Sequence, residues 1–254
     1  MSTQIESKLK TLIQSVPQGT VCLASWLEDR GISRDLQKRY RKGAWLESLG
    51  PGAFIKHGDT VSWQGAIYAI QNQAGTPIHP GGPTALSLAG LAHYARGQDE
   101  TVHLFAPHKI RLPGWFRKHD WKAPVVLHQS SMLPVELGLT THEERTFAME
   151  MSAPERAIME CLYLAPEKMD LLECYQIMEG LVNLRPGLVQ ELLERCGSVK
   201  VKRLFLFMAD KAGHQWAKFL DRSRLDLGRG DRSIVKGGVY IASHGISIPK
   251  ELAG

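Results

Sequence analysis

The sequence is short of the residues that carry covalent, metal or membrane chemistry. It has four cysteines, Cys22, Cys161, Cys174 and Cys196. None forms a CxxC pair, and their spacing suits neither a disulfide framework nor a zinc site, so buried reduced thiols are expected. No apolar run reaches the ~20 residues of a membrane span, so no membrane partner is expected. The opening MSTQIESKLK lacks the apolar stretch of a secretory signal, so a cytoplasmic protein is expected. GxSxG, HExxH, P-loop and GxGxxG patterns are all missing, so neither an enzyme nor a cofactor is expected. His103, His108, His119 and His128 share one stretch without metal-ligand spacing, and no metal site is expected. Glu143-Glu144 reads as a solvated face in an acidic helical surround. HPGGPTALSLAG has glycines before a helix start, as a phosphate cradle does. A tight turn with Pro83 at the first helical position is the stronger reading.

Of the 254 residues 43% are hydrophobic and 22% charged, as in an ordinary globular protein of one large domain or two smaller ones. The net charge of +5 favours an anionic partner. Charge is unevenly spread. From Val135 to Arg195 twelve acids stand against five Arg and Lys, whereas the N-terminal part and the stretch after Cys196 are basic. That contrast suggests two tasks on one chain. Arg222, Arg224, Arg229, Arg232 and Lys236 form a second basic cluster, fit to extend nucleic-acid contact, to bind an acidic or RNA-associated partner, or simply to face water.

Ile5, Leu9, Leu12, Ile13 and Val16 recur at helical spacing, and Pro17 and Gly19 break that helix. Thr20 is placed to cap a second helix carrying Val21, Leu23, Ala24 and Leu27. Gly31 ends it, with Ile32 as an apolar plug in the turn. Ser33 then caps a third helix, which gives the order of a helix-turn-helix. On that helix, at 100° per residue, Leu36 and Tyr40 form the packing pair. Arg34, Lys38 and Arg41 face outward, Gln37 lies at the margin, and Arg39 and Lys42 flank the apolar stripe. Gly43 is expected to end the helix in the left-handed conformation. WLESLG and AFIKHGD around Gly50-Pro51-Gly52 read as a hairpin, the wing of a winged helix-turn-helix. A closing helix follows over 60–73, then a loop, then a helix from Thr84 to Ala95. TVHLFAP and PVVLHQS read as strands on either side of a loop at Pro113-Gly114. Ser152 and Glu155 fit a capping box. Helices are expected near 153–164, 168–181 and 186–196; the segment 199–208 suits strand or helix, and GGVYIASHGISIP a terminal hairpin.

The basic helix with its wing is the strongest constellation. The major groove of DNA admits a helix, and arginine pairs with guanine through two hydrogen bonds. Arg34, Gln37, Lys38 and Arg41 form the candidate base-reading set, Thr20, Ser33 and Lys56 the phosphate contacts, and Arg39 and Lys42 candidate flanking contacts. The competing possibilities are a solvated helix face, or a winged helix used for docking to a protein without specific DNA recognition.

RYRKGAWLESLGPGAFIKHGDTVSWQGAIYAIQ followed by HPGGPTALSLAGLAHY, with LFAP and the closing KGGVYIASHGISIPKEL, resembles the AbiEi-type antitoxins of abortive-infection toxin–antitoxin systems. The likeness spans nearly the whole chain and is sharpest at GAWLESLGPGAF and GGPTAL. The resemblance implies an α+β protein: a winged helix-turn-helix domain over 1–95 and a mixed α/β antitoxin-like domain over 96–254. It also implies binding to inverted repeats in the protein's own promoter, autorepression, and a type IV role countering a nucleotidyltransferase-like toxin without a stable complex. By the resemblance, Arg34, Gln37, Lys38, Arg41 and Lys56 carry the winged-helix role. A monomer in solution, or a cooperative dimer on double-stranded DNA, is expected.

Overall fold

The computed structural model describes residues 12, 14–91 and 101–253. The expected first helix lies outside these apart from its last turn, where Leu12 and Val16 are buried. The described chain begins with β1 (Cys22–Leu23), α1 (Ala24–Asp29), α2 (Arg34–Lys42), β2 (Leu46–Gly50), β3 (Ala53–Lys56) and α3 (Trp63–Asn72). The order β1-β3-β2, antiparallel throughout, with α1 and α2 packed beside it, is a winged helix-turn-helix. The hairpin turns at Gly50-Pro51-Gly52, and Gly52 takes φ +78°, a backbone shape that costs glycine nothing.

Local signals are overridden at three places here. Thr20 does not cap α1, because Cys22 and Leu23 are drawn into pairing with Phe54 and Ala53. The α1 N-cap is Leu23, without a side-chain bond. Gly43 keeps φ −83°, and the left-handed residue after α2 is Ala44 at φ +53°. The helix expected over 60–73 begins later, at Trp63, capped by the Ser62 hydroxyl, which accepts from the Gly65 N–H.

Two glutamines near the end of α3 meet main-chain groups that strand pairing leaves open. The Gln73 amide accepts from Leu23 N–H and donates to the Val21 carbonyl, both at 2.7 Å. Gln71 treats Glu150 the same way, donating to its carbonyl at 2.8 Å and accepting its N–H at 3.0 Å. Each side chain stands in for a neighbouring strand.

Next come β4 (His79–Pro80), α4 (Gly82–Leu88), β5 (Val102–Ala106), α5 (Gly114–Lys118) and β6 (Val125–Gln129). They build a sheet in the order β4-β5-β6, with β5 and β6 parallel in unbroken register. Such strands need a crossover, and α5 supplies it where a plain loop was expected, burying Trp115 and Phe116. The helix expected to Ala95 is α4, which starts at Gly82 and ends at Leu88; the remainder of that expectation falls partly outside the described residues.

The C-terminal part holds the hairpin β7 (Leu139–Glu143) and β8 (Ala148–Ser152), helices α6 (Pro154–Leu164), α7 (Leu171–Gly180), α8 (Pro186–Arg195) and α9 (Val199–Ala212), and the strands β9 (Arg232–Ser233), β10 (Val239–Ile241) and β11 (Ile246–Ile248). The ambiguous segment from Val199 is helix because nearly all of it is enclosed, Leu204, Phe205 and Met208 completely. Glu143 ends a strand, so the Glu143-Glu144 pair lies in a hairpin and not in a helical surround. The capping box does not form: Ala153 is the N-cap of α6, the Ser152 hydroxyl donates to Glu160, and Glu155 is taken by Arg185.

Among the described residues three apolar clusters hold the chain together. One lies among α6–α9. One lies under the helix-turn-helix, around Leu27, Ile32, Tyr40, Leu46 and Phe54. The third joins Ile67 and Ile70 of α3 to Leu104 of β5, Phe116 of α5 and Met149 of β8, so this cluster draws on residues from both of the expected domains.

Candidate nucleic-acid interface

The interface is built from α2. Ser33 caps it, its hydroxyl accepting from the Leu36 N–H at 3.4 Å. Asp35 lies in the first turn and Arg39, Arg41 and Lys42 in the last, each charge on the side the helix dipole favours. The buried face centres on Gln37 and Tyr40, and Leu36 is only half-buried. The helix is thus turned from the packing expected of Leu36 and Tyr40. Lys38, Arg39 and Lys42 lie about the middle of its exposed side, with Arg34 and Arg41 at the edges, and all five bases are exposed. Arg34 is 60% exposed and pairs with Glu28 at 2.7 Å. Lys38 lies 3.5 Å from Asp35. The Arg41 guanidinium sits 5.5 Å from the centre of the Phe54 ring, beside the wing.

Three expected contacts lie elsewhere. Gln37 is 2% exposed, and its amide donates to the Ala24 and Ile32 carbonyls, locking α1 and the turn onto α2. Thr20 is fully buried, and its hydroxyl donates to the Pro17 carbonyl. Both side chains are buried and bonded within the protein. The Lys56 ammonium donates to the Val16 carbonyl at 2.8 Å, so it ties the wing to the chain before it. Ser33 remains exposed at the start of α2.

Two features escaped the sequence. Glu28 holds Arg34 from the preceding helix, a pairing that no local pattern reveals. Trp45, 50% exposed, stands between α2 and the wing and lines a cleft of about 400 Å³ with Gln18, Lys56, His57 and Asp59. Its orientation was readable: Leu46 points inward, so strand alternation sends Trp45 out.

The glycines of HPGG hold an internal carboxylate in place of a phosphate. The Gly82 N–H donates to Glu160 Oε2 at 2.9 Å. A Cβ at Gly81 would collide with that carboxylate and with the Phe105 ring. Ser152, Arg156 Nε at 2.8 Å and His79 Nε2 at 3.2 Å complete the ring around Glu160. Burial pushes this carboxyl up, but His79 and Arg156 outweigh it and hold it at about 2. Beside this group, His103 Nδ1 meets His128 Nε2 at 2.9 Å with the rings stacked. His108 is exposed, and His119 packs on Trp121. Among the described residues no group of His, Cys, Asp and Glu is placed to hold a metal, and no helix is long and apolar enough to cross a membrane. All four cysteines are buried, and burial pushes Cys22 and Cys174 up to about 12. In the C-terminal basic cluster Arg222 pairs with Asp210 and Arg224 with Glu194, and Arg229, Arg232 and Lys236 are exposed.

No curated protein matches the sequence. Among solved structures, the chain is similar to the RV2827C protein from Mycobacterium tuberculosis, at 14% identity and a TM-score of 0.56, over 96% of this chain and 90% of that one. This likeness shows a shared fold. Residues 5–96 match the family described as transcriptional regulator, AbiEi antitoxin N-terminal domain. Residues 99–249 match the one described as transcriptional regulator, AbiEi antitoxin, type IV toxin–antitoxin system. With a winged helix-turn-helix in front and both matches together spanning nearly its whole length, the chain belongs to the AbiEi family of antitoxin transcriptional regulators.

Proposed function

We propose that this chain is a sequence-specific DNA-binding repressor of its own promoter, and that it counters a nucleotidyltransferase-like toxin. The observation that carries the DNA reading is the exposed basic side of α2 directly beside a wing. In this reading α2 enters the major groove. Arg34 and Lys38, near its start, read base edges, and Ser33, Arg39, Arg41 and Lys42 hold phosphates. Inverted repeats supply two half-sites for two copies. The N-terminal unit to about residue 95 binds DNA, the unit over 96–254 acts as antitoxin, and both work in the cytoplasm without catalysis. Family membership supports the regulatory role.

A second reading, docking to a protein, is favoured by a wing whose tip is Pro51-Gly52 with no cation, and by Arg34 being held by Glu28. Fluorescence anisotropy on a duplex from the promoter separates the two. Changing Arg34 and Lys38 together to Ala is expected to weaken binding by about 1–3 kcal/mol for each base edge that is no longer read. Unchanged affinity at fixed salt, or equal weak binding to every duplex, would favour docking.

A further inference from the structure

Among the described residues the sheet β4-β5-β6 ends on β6, which is paired on one side only. The Val102 N–H donates to the Pro124 carbonyl and the Ser130 N–H to the Ala106 carbonyl. In this parallel register the even-numbered residues 124 to 130 therefore turn their main-chain groups toward β5. The N–H and C=O groups of Val125, Leu127 and Gln129 point the other way, and no described main-chain group meets them. Sheet edges are ordinarily blunted by a lysine, a proline or a bulge within the strand. β6 has none of these: its register is regular, Val126 is 40% exposed, and residues 124–134 include no Lys, Arg, Asp or Glu.

We propose that β6 is the seam at which two copies of this chain join, antiparallel, about a two-fold axis through Leu127. In that register Val125 faces Gln129 of the second copy and Leu127 faces its own counterpart. Facing residues of this kind exchange both of their main-chain hydrogen bonds, so every outward group of the strand is satisfied. The spacing of the outward groups about Leu127 makes the strand self-complementary, and the uncharged stretch brings no like charges together at the axis. A strand this short buries less than the ~1,000 Å² expected of a stable interface. Association is therefore weak in free solution and strengthens where two copies share a ligand, as on two half-sites of a duplex. The inference goes beyond the DNA reading, and its test contains no DNA.

Sedimentation equilibrium of the full chain from about 10 μM to about 1 mM, the range of weak association, tests it. The wild type is expected to pass from monomer toward dimer. Val126→Lys, a change at an exposed position, is expected to associate at least tenfold more weakly with an unaltered thermal melt. Gln129→Pro serves as a second variant, since it removes an outward N–H that β5 does not use. Hydrogen exchange over the same range is expected to slow at Val125, Leu127 and Gln129 as concentration rises. A wild type that stays monomeric throughout, variants that associate as the wild type does, or outward amides that exchange equally fast at both ends of the range would each overturn the proposal.

Discussion

Glu160 is about 1% exposed, and four donors converge on it. Its folded carboxyl stands at about 2, against 4.5 for the free group. It therefore contributes stability that is fully present above pH 4.5 and is lost as pH falls toward 2. Glu160→Gln is expected to cost about 3–5 kcal/mol at pH 7, because Arg156 is left buried without its charge partner. Urea unfolding at a series of pH values should show that deficit shrinking between pH 4.5 and 2. His128 shifts for a different reason: burial first, then the charge of His103, pull it from 6.5 to about 4. The unfolded chain gains a proton below pH 6.5 that the folded chain refuses, so stability declines as pH falls from 6.5 toward 4. His128→Asn is expected to flatten that part of the same urea series. Glu28 acts on the surface. Exposed pairs are worth about 0–1 kcal/mol, so Glu28→Gln, by releasing Arg34, is expected to tighten promoter binding up to ~5-fold; weaker binding would show that the pair positions Arg34 for its task.

Among the elements, Gln73 has a role that helix propensity does not describe. With the amide gone, the edge groups of Val21 and Leu23 go without partners, at about 1–3 kcal/mol for a buried group left unsatisfied. Gln73→Ala is expected to lower the thermal midpoint, with hydrogen exchange quickening first in β1. The elements that were legible in the sequence carry their signals locally. Ser33 before a basic run and Gly50-Pro51-Gly52 between short apolar runs each act within a few residues. What was not legible depends on partners far along the chain. Thr20 stood ready as a cap, but pairing with β3 straightened the residues after it. Ser152 matched a capping box, yet its hydroxyl serves a carboxylate eight residues on. Gln37 looked like a marginal surface residue, and two carbonyls of the preceding helix and turn draw it inside. The basic side of α2 was therefore readable as a set of charges, while its rotation about the axis was not.

At the scale of the whole molecule, a basic front and a basic tail flank an acidic middle, and one core joins the winged helix to the sheet that follows it. The central claim is that the exposed basic side of α2 binds DNA by sequence. Its most direct test is an anisotropy titration of the full chain on a duplex holding the promoter's inverted repeat, and on a scrambled duplex, across a salt series. Preference for the repeat is predicted, with log K falling by about 0.9 per phosphate contacted for each unit of log salt, and a shallower slope after Arg39→Ala and Lys42→Ala. Equal affinity for both duplexes, or a slope that those two changes leave untouched, would contradict it.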